Sequence, residues 1–333
     1  MVEVKVGKLP FEKIERKVLT KKSAKTDPKL GKNPEERSTE ELIKSGIINL
    51  NKPPGPTSHQ VADYIKKILN IKKAGHGGTL DPKVTGCLPI ALEKATRIVQ
   101  TLLPAGKEYV CLMYIHKRVE ENKIKKAFEK FSGEIKQIPP IRSAVKRQER
   151  TRKIYYIEIL EIKEQDVLFR IGCQAGTYIR KFVHDLGKDL GIGAHMHQLI
   201  RTKAGPFTDK EMYAMYDLKD AYEFYKEGNE KELRKILKPF ETAVNHLGKI
   251  WVLDSTVDPL CHGADLYLVG ISKLTTGIKE NDLVAIFTLK NELICIGKAV
   301  LDSETIQRQE KGEAVKTTKV FMDRGIYSLK NID

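Results

Sequence analysis

The sequence predicts an α+β fold: a mixed, largely antiparallel sheet with helices set against it, followed by a small β-barrel. Three observations carry that expectation. Strand-like and helix-like segments are interspersed through residues 38–247 without the regular βαβ rhythm of a doubly wound sheet. From about residue 248 to 333 the texture changes to short strands and glycine turns, in "KIWVL", "GADLYLVGI", "DLVAIFTL" and "ELICIGKAV". Ahead of both, residues 1–37 are basic and lack an apolar period, which reads as an extended arm available to pack on the C-terminal domain.

The elements follow in order. "STEEL" starts a helix, with Ser38 and Glu41 at capping-box spacing. In "GIINLNKPPGPTSHQVADYIKKILN", Ile47, Ile48 and Leu50 form a strand and "NKPPGPTS" a tight loop. Ser58 then caps a helix whose Val61, Ile65 and Ile68 share one face. A further helix is expected over roughly 91–103. "KEYVCLMYIHK" alternates as a strand does, and "KIKKAFEKF" is a short amphipathic helix. "KIYYIEILEIK" and "VLFRIGCQ" are strands, and a helix follows from about 178 to 190. The charged stretch 222–247 reads as helical and precedes the change of texture.

Bulk composition narrows the function classes. Hydrophobic residues make up 41% of the 333, enough for a core. Lys+Arg 59 against Asp+Glu 44 gives a net charge of +15. Such a balance suits a polyanionic partner, nucleic acid before membrane surface, beside the plainer reading of a lysine-rich solubilising surface. No run of 18 or more apolar residues offers a membrane span, and the charged N-terminus lacks the apolar centre of a secretory signal. Cys87, Cys111, Cys173, Cys261 and Cys295 are scattered and never at C-x-x-C spacing, which points to buried thiols in a reducing compartment rather than a zinc ribbon.

The segment "GHGGTLDPKVTG", residues 75–86, concentrates turn chemistry around one carboxylate, Asp81. Gly75, Gly77 and Gly78 permit positive φ and close approach to a group outside the chain, and Pro82 pushes Asp81 towards an extended conformation. An ordinary surface loop fits most such strings. Asp81 and Thr85 also stand at the D-x-x-x-T spacing of aspartyl-phosphate enzymes, but Lys83 occupies the place of the second acid. No "GK[ST]" follows the glycines, so a Walker A loop is excluded. "HMH" at 195–197 has no evident third ligand for a metal.

"HGGTLDP" followed by "TGCLPIALEKATR" resembles the catalytic motif of TruB-type pseudouridine synthases, and other segments agree with it in order. "NKPPGPTSH" is similar to the family's first motif, "GKEYV" to the segment carrying its active-site tyrosine, "AGTYIR" to its third motif, and "LIRTKAGPF" to the block closing the catalytic domain. The resemblance spans about residues 47–207. It implies Asp81 as nucleophile, Tyr109 as the tyrosine and Arg180 as the basic residue, with Tyr178 in the pocket wall, Lys52 bracing the site and His76 filling the space vacated by the target base or contacting a phosphate. "HGADLYLVGI" and the strand after it resemble a PUA module.

The chemistry is consistent with those residue types. Isomerising uridine breaks an N-glycosidic bond, turns the uracil and rejoins it through carbon. A carboxylate can hold the intermediate by adding to the uracil ring or by trapping the ribose carbon. In a dry pocket burial disfavours the ionised carboxylate, and an arginine opposite offsets this. Tyr109 offers a π-face to an extruded base and a phenol for proton transfer. No step requires a metal or cofactor. The basic run 142–153, with Arg142, Lys146, Arg147 and Arg152, suits phosphate contact.

Within the family the chain is more similar to the archaeal and eukaryotic dyskerin branch than to the bacterial branch, on "NLNKPPGPTSHQV", "LLPAGKEYV" and "HGADL". That resemblance implies the catalytic subunit of a box H/ACA ribonucleoprotein, acting on rRNA paired to guide RNA and, without a guide, on the TΨC arm of tRNA. It implies a zinc-ribbon protein, a small β-barrel protein and a kink-turn-binding protein as partners. Lacking the lysine-rich tails of eukaryotic members, the chain is read as archaeal and cytoplasmic. A non-catalytic RNA scaffold of the same fold is the alternative from another class; Asp81, Tyr109 and Arg180 argue against it.

Overall fold

Sequence alternation in the middle segment becomes one long sheet in the computed structural model, which describes residues 7–139 and 146–328. Strand β1 (Val18–Thr20) belongs to the arm. The middle segment supplies β2 (Gly46–Lys52), β3 (Ala74–His76), β4 (Thr85–Leu92), β5 (Lys107–Ile115), β6 (Gly133–Gln137), β7 (Arg150–Lys163), β8 (Asp166–Cys173), β9 (Ala194–Ala204), β10 (Phe207–Thr208) and β11 (Lys238–Pro239). Their spatial order is β11-β2-β4-β9-β5-β8-β7-β6, with β3 beside β4 and β10 beside β9. Only β4 and β9 run parallel among these pairings. This is the mixed, largely antiparallel arrangement that the sequence predicts.

Helices α1 (Thr39–Ser45), α2 (Ser58–Leu69), α3 (Val99–Leu102), α4 (Glu121–Lys130), α5 (Ile179–Asp189) and α6 (Met215–Lys226) accompany the sheet. Their apolar faces meet it in a core that includes Val61, Ile65, Phe128, Phe182 and Leu218. The capping box at the start of α1 forms as expected, Ser38 and Glu41 satisfying each other's backbone N–H.

Two local expectations are corrected. Thr57, not Ser58, caps α2: its hydroxyl accepts from the Gln60 N–H while the Gln60 side chain accepts from Thr57. The expected helix over 91–103 is instead the end of β4, a 3-10 turn (Glu93–Ile98) and the single turn α3. "TGCLPIAL" is apolar at almost every position because β4 is buried along its length between neighbours, and such a run cannot be told from a buried helix by period alone.

Beyond residue 247 lie β12 (Gly248–Val252), β13 (Leu266–Tyr267), β14 (Ile271–Thr275), β15 (Leu283–Phe287), β16 (Leu293–Ala299) and β17 (Glu313–Val320). With the arm they form a second sheet, ordered β1-β14-β12-β15-β16-β17-β13. The arm is anchored at both ends of its described length. Leu9 is fully buried, β1 pairs antiparallel with β14, and Leu30 enters the core of the second sheet. A third apolar cluster, including Cys87, Ile98, Phe287 and Phe321, joins the two sheets.

Candidate active site

The Asp81 loop is held from beneath by the "NKPPGPTS" loop, two segments far apart in the chain. Lys52 is fully buried, and its Nζ donates to the carbonyls of Pro53 at 2.8 Å, Pro82 at 3.0 Å and Val84 at 2.9 Å. Burial lowers the Lys52 pKa, opposed by the charge of Asp81. The Gly55 N–H donates to the Pro82 carbonyl at 2.9 Å. Ser58, released from capping, accepts from the Leu80 N–H at 2.8 Å and returns its hydroxyl to the Leu80 carbonyl at 3.2 Å. Lys52 therefore braces the loop and presents no surface to RNA.

Above the loop opens a cleft of about 580 Å³, lined by Asp81, Tyr109, Tyr178, Arg180, Leu199 and Arg201 among others. Arg180, on the first turn of α5, donates from Nη2 to Asp81 Oδ2 at 2.6 Å across 99 residues of sequence. Their side chains are 56% and 54% exposed, so the pair contributes about 0–1 kcal/mol to stability and its meaning is geometric. The protein alone leaves this carboxylate open to water, unlike the dry pocket expected.

Tyr109 stands half-buried on β5, and burial raises its pKa against the opposing charge of Arg201. Tyr178 lines the same cleft, its backbone clamped to Gln137 by bonds of 3.0 and 3.2 Å. The cleft thus gathers a carboxylate, a guanidinium and a phenol around space for a planar base.

His76 lies outside the cleft lining, its ring edge against His59 at 4.8 Å with Nδ1 buried and without a hydrogen-bond partner. Burial first, then His59, lowers its pKa. Lys146 and Arg147 are exposed, and Arg152 is half-buried with its guanidinium beside Gly176 of the cleft. Arg142 lies outside the described residues. His195 Nδ1 faces His116 Nε2 at 3.0 Å, and among the described residues no group of three His, Cys, Asp or Glu is placed to hold a metal.

The glycines divide between two tasks. Gly78, at φ +134°, lines the cleft. Gly77 clears the chain's own Leu102, which an added Cβ would meet at 2.9 Å, and Gly75 pairs with Ala91 in the sheet. The sequence assigns clearance for an outside group to all three; Gly77 instead clears α3, and Gly75 sits in β3, where an added Cβ would meet Thr96 only at 3.7 Å. Gly86, at φ +101°, lies where β4 meets β9, and any Cβ there would strike the Arg201 backbone.

Sequence reasoning passes over two cleft residues. Arg201 is 1% exposed and donates to the carbonyls of Cys87 at 2.7 Å and Gly78 at 3.0 Å. Lys107 donates to Leu102, Leu103 and Ala105 carbonyls at 2.7, 3.1 and 2.7 Å, and burial pushes it down to about 7. The available signal was a charged residue inside an otherwise strand-like segment, Lys107 in "GKEYV" and Arg201 in "LIRTKAG".

Comparison with known proteins places this arrangement. Residues 66–179 match the N-terminal domain of TruB family pseudouridylate synthases and residues 180–245 the C-terminal domain of tRNA pseudouridylate synthase B. Residues 248–321 match the PUA domain and 7–62 the DKCLD domain. The probable tRNA pseudouridine synthase B of Pyrococcus horikoshii is 58% identical over 317 residues, 94% of this chain and 95% of that protein. The chain belongs to the TruB family of pseudouridine synthases. The Methanopyrus kandleri member is 53% identical, covering 96% of this synthase and 95% of its own length. Among solved structures, the crystal structure of a Cbf5–Nop10–Gar1 complex holds a chain 57% identical, with a TM-score of 0.90, covering 96% of this synthase and 98% of that chain. An H/ACA ribonucleoprotein bound to a substrate RNA containing 2'-deoxyuridine holds one 54% identical, with a TM-score of 0.89 and coverage of 96% and 99%. The synthase thus lies in the archaeal branch that includes Cbf5.

Proposed function

We propose that this synthase converts uridine to pseudouridine in the TΨC arm of tRNA and, paired with box H/ACA guide RNA, in rRNA, with Asp81 as nucleophile on a flipped-out uridine. The observation that carries the reading is the Asp81–Arg180 contact of 2.6 Å beneath a cleft walled by Tyr109 and Tyr178. Arg180 donates to one oxygen of the Asp81 carboxylate at the wall of the cleft. Asp81 then bonds either to the uracil ring or to the ribose C1′ as the N1–C1′ bond breaks. After the base turns, C5 bonds to C1′ and Asp81 is released. The C5 proton leaves to a base for which Tyr109 is the candidate in reach, and N1, freed from the ribose, takes up a proton, so the product is an isomer of the substrate. Since Asp81 is half exposed in the chain alone, bound RNA supplies the remaining exclusion of water.

The relatives solved with Nop10, Gar1 and a substrate RNA support equivalent zinc-ribbon, β-barrel and guide-RNA partners here, with a kink-turn-binding protein completing the particle. Five free, buried cysteines and archaeal relatives support a cytoplasmic location.

The test is Asp81→Asn, assayed for pseudouridine on unmodified tRNA with and without guide RNA and partners. The variant binds RNA within about 2-fold of wild type, since one exposed side chain is changed without loss of shape, and makes no product. Appreciable turnover by Asp81→Asn would sink the nucleophile assignment.

A further inference from the structure

The strand that carries Tyr109 has a second set of contacts on the face away from the cleft. Lys107 and Tyr109 line the cleft, and Glu108 between them points to the opposite side, where it is 3% exposed. There its carboxylate accepts from the Tyr156 hydroxyl and, at 2.7 Å, from Thr202 Oγ1, with Lys203 Nζ at 3.6 Å and Arg170 Nε at 3.9 Å.

The pairing of β5 with β9 is irregular at this point. Glu108 pairs with Lys203 and Tyr109 with Arg201, so Thr202 is an extra residue on β9. Ordinary alternation would send Arg201 and Lys203 to the same face. The bulge breaks that rule: Arg201 enters the cleft while Thr202 and Lys203 both reach Glu108 behind it.

The N-terminal arm closes this rear site. Glu12 accepts from Lys203 Nζ at 2.8 and 3.1 Å and also caps Leu9, whose N–H donates to it at 2.6 Å. Leu9 is fully buried against Gly106, the residue that leads into β5. The Tyr156 ring is held between Gly7 of the arm and Gly172 of β8, with no room for a Cβ on either. Leu9, β1 and Leu30 already fasten the arm; the Glu12–Lys203 contact adds a charged link that ends on the bulge.

We infer that Glu12 of the arm is a positioning residue which, through Lys203, Glu108 and Thr202, fixes the β5–β9 bulge that aims Tyr109 and Arg201 into the cleft. The inference rests on the proposed pseudouridine synthesis for its effect on rate, but the positions of Tyr109 and Arg201 are observable without it.

The experiment compares wild type, Glu12→Ala, Thr202→Val and Thr202→Ser, all as full chains. It measures single-turnover pseudouridine formation on unmodified tRNA at saturating enzyme, the Kd for that tRNA, and the crystal structure of Thr202→Val. Valine keeps the shape of threonine and removes its donor; serine returns the donor. The expected result is a rate lower by ~10-fold or more for Glu12→Ala and Thr202→Val, because small misplacements at a reacting centre are costly. Affinity stays within about 2-fold, the signature of a lost positioning contact, and Thr202→Ser recovers to within about 2-fold of the wild-type rate. Tyr109 and Arg201 are displaced in the Thr202→Val crystal. Folded variants with unmoved side chains, wild-type rates, or a loss confined to RNA affinity overturn the inference. An inactive wild type beside displaced side chains in Thr202→Val sinks the proposed function and leaves the positioning standing.

Discussion

Asp81 and Arg180 could each be suspected from their motifs, but their meeting at 2.6 Å is a matter of placement. Lys107 illustrates the reverse: chemically prominent and unannounced. It is lowered to about 7 from an ordinary value near 10.5, first by burial and then by Arg201. Between those two values the unfolded chain holds a proton that the folded chain has released, the neutral amine keeping two of the three donated bonds, so this site contributes more stability as pH rises through the window. Lys107→Met removes the titration. Thermal melts between pH 6.5 and 9.5 are expected to show wild type gaining on the variant as pH rises, by an amount on the order of a few °C at about 2–4 °C per kcal/mol. A pH-independent difference between the two would contradict the assignment.

At the scale of elements, the site is made by one loop supporting another. The start of α2 was legible from its adjacent hydroxyl residues, and Gln60, three residues after Thr57, is the local signal that favours Thr57 over Ser58 as the cap. What no local spacing records is the task Ser58 takes instead, its contact with Leu80, 22 residues away. Ser58→Ala is expected to leave two buried backbone groups of Leu80 without partners, destabilising the chain by about 1–3 kcal/mol. In addition it loosens the Asp81 loop, so activity falls at temperatures where the variant remains folded by circular dichroism. Full activity in a folded Ser58→Ala protein would remove the loop-on-loop account. The run that forms β4 was misread as a helix for a related reason: burial on both faces erases the alternation that marks a strand.

Across the whole molecule the net charge of +15 belongs to a chain with two sheets joined by an apolar cluster and bridged by the arm. Lys146 and Arg147 are exposed, and the half-buried Arg152 beside Gly176 brings basic character to the edge of the cleft. RNA affinity measured across salt concentrations is expected to fall by about 0.7–0.9 log unit per log unit of salt for each phosphate neutralised. Lys146→Ala should weaken binding evenly across sequences and reduce the slope by about 1. A flat salt response would contradict an electrostatic footprint.

What the sequence determined by itself was local or compositional. It determined the mixed sheet, from strand-length alternation without βαβ rhythm, and the second β-rich texture after residue 247. Asp81 stood out from its loop, and the basic balance favoured a polyanionic partner over a merely solubilising surface. The tertiary structure alone decided that Arg201 turns into the cleft while Thr202 and Lys203 turn away from it. It alone put Lys52 beneath the Asp81 loop, and sent an arm with no apolar period to bury Leu9 against Gly106, just ahead of β5. The physical reason is the same in each case. A bulge, a buried ammonium and a single-residue anchor are stabilised by partners dozens to hundreds of residues away, and no period or spacing along the chain records them.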